Sequence, residues 1–228
     1  MIVIKNRRVK RILGIIIPLV LIPAVAVCGS VLFSEQKHIF VSLVVAFFSL
    51  VLFITGFERK MTGTRRMVLV AVMTAISVLG RFIPFFKPIT ALTVITAMYL
   101  GGEAGFLVGS LSALLSNFYF GQGPWTAFQM LAWGLIGYVA GLMAEPLKRN
   151  RVFLLAYGVL SGIAFSLIMD VWTVLWYSAG FDVELYAASV IAAIPHTILY
   201  ASSNFIFLFF LAKPFGDKLE RMKIKYGV

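Results

Sequence analysis

The sequence predicts an all-α membrane protein: a six-helix transmembrane bundle preceded by a two-helix transmembrane hairpin. Three observations carry this. Of the 228 residues 61% are apolar and 13% charged, where a soluble domain holds about 25% charged residues. The apolar residues lie in long runs, with a mean hydropathy of +0.98. The basic residues fall at the ends of those runs, nearly all on one side.

Eight apolar runs can be marked, at 12–33, 39–57, 66–83, 87–100, 104–120, 125–143, 152–178 and 185–212. Most approach the ~20 residues that cross a ~30 Å hydrocarbon layer. In lipid each backbone polar group needs a partner within the protein, so runs of this length are expected to be helices. The fourth, about four turns long, is expected to be tilted or shielded by its neighbours.

Charge sets the orientation. With the N-terminus in the cytoplasm, 17 of the 20 Lys and Arg residues are cytoplasmic, and only Lys37, Arg81 and Lys87 fall outside. That is the positive-inside pattern. It also accounts for the net charge of +11 without nucleic acid. Both termini are then cytoplasmic, in the inner membrane of a prokaryote. The first run, with its basic flank and Ala24 and Ala26, also meets the composition of a cleaved signal peptide. Cleavage leaves the later topology unchanged. A single cysteine, Cys28, excludes an internal disulfide framework.

Residues 1–60 are read as an accessory hairpin and 61–228 as the working six-helix unit. Small residues recur at four-residue spacing in that unit: Gly101, Gly105, Gly109 and Ala113; Gly137 and Gly141; Gly158 and Gly162; Ala71 and Ala75; Ala188 and Ala192. Lipid gives helices no hydrophobic drive to associate, so such stripes are where backbones approach. For most of them the expected role is packing.

The stretch 117–133 is the most informative. Gly121, Gly123 and Pro124 make a tight external turn, with Pro124 suited to the first turn of the next helix. Trp125, Gln129 and Trp133 follow at i, i+4 and i+8, on one helical face. Indoles and an amide in one row can stack on a flat ring and hydrogen-bond its edge; Asn117 and Gln122 lie beside them. An interfacial aromatic belt explains Trp125 but not Gln129 a turn deeper. Arg81, followed by Phe82, closes the third run on the same side. Asp170 lies in the outer third of the seventh run near Trp172 and Trp176, and is expected to face the bundle because a charge in lipid is costly. A pairing of Arg81 with Asp170 is one expectation. His196, after Pro195, is expected to point inward.

Several classes are excluded or weakened. There is no phosphate-binding GxxxxGK[ST] loop and no HExxH, and two histidines are too few for a histidine-rich metal centre. Clustered acids or an activated nucleophile are also missing, so an enzyme is not expected.

The six-helix unit, the Gly-Gln-Gly-Pro-Trp turn at 121–125 and the Ala71-xxx-Ala75 pair together resemble the S component of an energy-coupling factor (ECF) transporter over residues 61–228. The resemblance implies a subunit that binds a vitamin or related micronutrient in an external pocket. It would dock on a membrane T protein carrying two ATPase subunits and topple to release the solute inward. ATP would be hydrolysed by those partners, with no cofactor or metal held by this chain. The implied pocket residues are Arg81, Phe82, Asn117, Gln122, Trp125, Gln129, Trp133, Asp170, Trp176 and His196, with Ala71 and Ala75 on the docking face. The turn is similar to a cobalamin-type branch; flavins, folates and queuosine precursors would also suit stacking plus amide bonds. The competing reading is a stand-alone, ion-coupled secondary transporter of a small organic solute, which would place coupling ligands at mid-membrane.

Overall fold

The computed structural model describes residues 6–32, 38–55, 60–178 and 181–226, and every regular element among them is helical. Helix α1 (Arg7–Ile16) starts in the basic flank, five residues before the apolar run. The Asn6 side chain caps it, accepting from the Arg8 and Val9 N–H groups at 2.9 and 3.3 Å. It continues through a π-helical turn (Ile17–Leu21) into α2 (Ile22–Leu32). Pro18 in that turn has no N–H for the preceding turn, and the wider π geometry absorbs the missing bond.

Then follow α3 (His38–Thr55), α4 (Lys60–Gly80), α5 (Ile89–Leu100), α6 (Gly102–Phe120) and α7 (Trp125–Leu142). A short α8 (Ala144–Arg149) leads to α9 (Arg151–Tyr177) and α10 (Val183–Tyr226). The last helix runs 14 residues past the apolar run that predicts it, through Pro214, with Gly216 seated on the Tyr99 ring.

Helix α5 is short because it is central. All its residues except Tyr99 are buried, and α4, α6, α7 and α10 surround it. A helix that never meets lipid need not match the bilayer thickness. It ends at Gly101, whose φ of +95° suits glycine, and α6 starts at the next residue.

The glycine stripes pack backbone on backbone. In the α6–α7 seam, a Cβ on Gly141 would lie 2.2 Å from Gly102 Cα, and one on Gly105 3.0 Å from the Gly137 carbonyl oxygen. Helices α9 and α10 meet the same way: a Cβ on Gly162 would lie 2.6 Å from the Ala201 nitrogen. That seam is pinned by Thr197 Oγ1 to Ser166 Oγ at 2.6 Å and by Asn204 Nδ2 donating to the Gly158 carbonyl at 3.0 Å. The first two runs are not detached: α2 packs on α7 and α9, α3 packs on α6 and α7, and Tyr138 donates its hydroxyl proton to the Gly14 carbonyl at 2.6 Å.

Four spans among the described residues are long and apolar enough to cross a membrane: Arg8–Gly29, Trp125–Leu142, Arg151–Tyr177 and Val183–Tyr226. Helices α4 and α6, of 21 and 19 residues, are diluted by polar residues. In α6 these turn inward: Ser110, Ser112, Ser116 and Asn117 are all buried, and Ser110 donates to the Met130 carbonyl across the seam at 2.9 Å. The outside is apolar, with Leu79, Leu142, Val152 and Ile191 each more than two-thirds exposed. Lipid suits such a surface and water does not. The chain is an all-α, multi-pass membrane protein.

Candidate binding site

The site starts where α4 stops. Gly80 ends the helix against Pro88, and Arg81 turns inward, only 8% exposed. Its Nη1 donates to Ser116 Oγ and to Asn117 Oδ1, both at 2.5 Å, at the outer end of α6. Asn117 Nδ2 donates in turn to Thr126 Oγ1 at 2.8 Å and Gln129 Oε1 at 2.9 Å on α7. Thr126 donates to Gln122 Oε1 at 3.0 Å, and Gln122 Nε2 to the Leu114 carbonyl at 2.9 Å. A continuous polar clasp thus ties the end of α4 to α6, the 121–124 turn and α7. Gly121 in that turn has φ +105°, which explains glycine there.

Below the clasp lies an aromatic stack. The Trp133 ring packs on Phe165 at 4.6 Å, nearly parallel, and Phe165 meets Tyr200 edge-on at 5.2 Å. The Arg81 guanidinium sits over Trp133 at 5.7 Å and over Phe120 at 5.0 Å. Lys87 Nζ lies 5.9 Å from the same Phe120 ring. The Lys87 backbone is locked to α10, its N–H donating to Ser203 Oγ at 2.9 Å and its carbonyl accepting from that hydroxyl at 3.0 Å. Lys87, Thr90, Trp133, Phe165, Tyr200 and Ser203 border a narrow cavity between α5, α7, α9 and α10, of about 20 Å³. That is room for about one water.

Residues 65–225 match the family model described as ECF transporter, substrate-specific component. The chain belongs to that family. It is therefore a substrate-specific subunit of an ECF transporter, a transport protein and not an enzyme, whose family works with ECF T and ATPase modules. No curated protein and no solved structure matched the chain.

In this S component the residues expected to line one pocket divide into groups. Asn117 bonds Gln129 directly and reaches Gln122 through Thr126, so these amides form scaffold in this conformation. Trp133 is buried beside the cavity. Trp125 instead meets Trp172 edge-on at 5.9 Å, and Trp172 stacks on Trp176 at 6.3 Å, making a second, more exposed indole cluster between α7 and α9. Phe82 lies outside the clasp, tilted on Tyr119 at 4.7 Å and Phe120 at 5.0 Å.

Two expectations are corrected. Arg81 and Asp170 form no ion pair among the described residues: Arg81 bonds neutral groups, and the buried Asp170 Oδ2 has no hydrogen-bond partner. His196 is exposed, because Thr197 and Ala201 occupy the α9 seam and the preceding residue falls about 100° away around the helix. Pro195 leaves α10 continuous. Ala71 and Ala75 are both exposed on α4.

Lys87, Phe120, Phe165 and Tyr200 were not singled out from the sequence. Lys87 carried a signal, being one of three basic residues outside the positive-inside count. Phe165 and Tyr200 sit in apolar runs where nothing marks them from lipid-facing neighbours.

Proposed function

We propose that this chain captures a vitamin or related micronutrient at its external end and delivers it inward by docking and toppling on an ECF T protein driven by two ATPase subunits, with ATP bound and hydrolysed by those partners. The observation that carries this is the convergence on one inner cavity of an aromatic stack, Trp133, Phe165 and Tyr200, roofed by a buried cation and a polar clasp. Such a site can hold a flat or conjugated solute once the outer helix ends part. Cobalamin is the first candidate, supported by the Gly-Gln-Gly-Pro-Trp turn. The closed cavity and the hydrogen-bonded clasp require the clasp to loosen before so large a ligand enters.

The docking face is assigned to α4, where the exposed Ala71 and Ala75 leave a smooth surface one turn apart. Both termini are assigned to the cytoplasm of a prokaryotic cell. In support, the basic segment that opens α4 lies beside the basic C-terminal end of α10 and the α5–α6 turn: Arg65 donates to the Tyr226 carbonyl at 2.5 Å, and Arg66 bonds the Leu100 carbonyl and pairs with Glu103 at 3.7 Å. Residues 1–60 are assigned as an accessory hairpin, in line with a family match that begins at residue 65.

The test is affinity purification from native membranes in mild detergent, with mass spectrometry of protein and small molecules. A T protein, ATPases and a retained micronutrient are expected. A chain that purifies without ATPase partners and without any organic solute contradicts the proposal.

A further inference from the structure

We infer that the solute this chain recognises carries an anionic group, a carboxylate or a phosphate, beside its ring system, and that Arg81 and Lys87 receive it. This rests on the solute-capture reading above and narrows it to a chemical class.

Arg81 is 8% exposed, yet Nη1 bonds only neutral oxygens and Nε has no partner at all. Burying a cation without a counter-charge is costly, and buried charges are ordinarily paired. The rings of Phe120 and Trp133 offset part of that cost. A second cation, Lys87, is then brought to the same Phe120 ring, close enough for the two like charges to repel. No carboxylate among the described residues pairs with either. Two unneutralised cations above an aromatic stack disfavour the empty site and fit an anion that brings its own ring.

A phospholipid headgroup offers the same phosphate chemistry, but Arg81 is roofed by Phe120 and turned toward the bundle. The experiment keeps the two sources apart. The purified full chain is titrated in phosphatidylcholine nanodiscs with matched anionic and neutral ring-bearing probes: flavin mononucleotide and riboflavin, and nicotinate and nicotinamide; cobalamin, which carries a phosphodiester, is titrated beside them. Any solute retained through purification is identified by mass spectrometry and judged by its own charge.

The expected result is an anionic ligand bound roughly 10- to 100-fold more tightly than its neutral partner, the range of a charge-assisted hydrogen bond. Arg81→Gln and the less buried Lys87→Gln should each remove most of that ratio, while Arg81→Lys retains part of it. A neutral solute bound as tightly, or a ratio unchanged in Lys87→Gln, overturns the inference and leaves solute capture standing. Retention of phospholipid alone, abolished by Arg81→Gln, overturns it in favour of a lipid anchor. If the wild type binds no probe and retains no solute, the capture reading falls and the inference with it.

Discussion

Replacing Gly109 with alanine tests how the α6–α7 seam supports the site. A Cβ there would lie 2.6 Å from the Trp133 carbonyl carbon and oxygen and 3.0 Å from the Gly134 nitrogen. Carbon contacts settle at about 3.5–4.0 Å, so the helices must part by about 1 Å. The obstacle is backbone, with no side-chain rotamer to yield. Overpacking of this kind costs about 1–3 kcal/mol, and stretching the Ser110–Met130 bond adds about 1 kcal/mol. Alanine's better helix propensity returns about 1 kcal/mol, so packing wins by about 1–3 kcal/mol. Thermal unfolding in mild detergent should show a midpoint lowered by roughly 3–10 °C, and ligand affinity should fall because the displaced carbonyl belongs to Trp133. Two controls separate the causes. Gly14 has nothing within 4 Å, so Gly14→Ala should be neutral or slightly stabilising. Gly121 also has open space but a φ of +105° and ψ of 123°, so Gly121→Ala should cost about 1–3 kcal/mol through strain alone. Equal melting of Gly109→Ala and Gly14→Ala would refute the argument.

Three further outcomes are expected. Trp133→Ala removes the ring shared by Phe165 and Arg81, and should cost about 3–5 kcal/mol and abolish binding, read by titration and thermal unfolding; Trp133→Phe should retain part of both. Asn117→Leu strips Arg81, Thr126 and Gln129 of a common partner, leaving buried polar groups unpaired at about 1–3 kcal/mol each; a midpoint unchanged from wild type would show that the clasp is dispensable. Ala71→Trp should leave binding intact and stop uptake in cells, since it roughens only the exposed face of α4; normal uptake would remove α4 as the docking surface.

Helix positions were legible because length in lipid leaves few alternatives. The runs at 104–120 and 125–143 lie within two residues of α6 and α7 at either end. Boundaries failed where the backbone leaves the hydrocarbon. Asn6 and the basic residues extend α1, and α10 continues through Pro214 because Gly216 packs on Tyr99. The shortness of the fourth run pointed to shielding, and α5 is the buried centre. In the site, the i, i+4, i+8 row correctly put Trp125, Gln129 and Trp133 on one face. Spacing could not show that this face meets two different partners, Trp172 for Trp125 and Phe165 for Trp133. Nor could it show that Arg81 bonds Asn117 on α6 rather than Asp170 on α9, since spacing along one helix does not fix which neighbour meets it.

The most direct measurement is solute uptake by cells carrying this chain with a T protein and its ATPases, comparing intact ATPases with hydrolysis-dead ones, with and without an ionophore. Accumulation should require intact ATPases and persist when ion gradients are collapsed. Accumulation that survives dead ATPases and disappears with the ionophore would contradict the account.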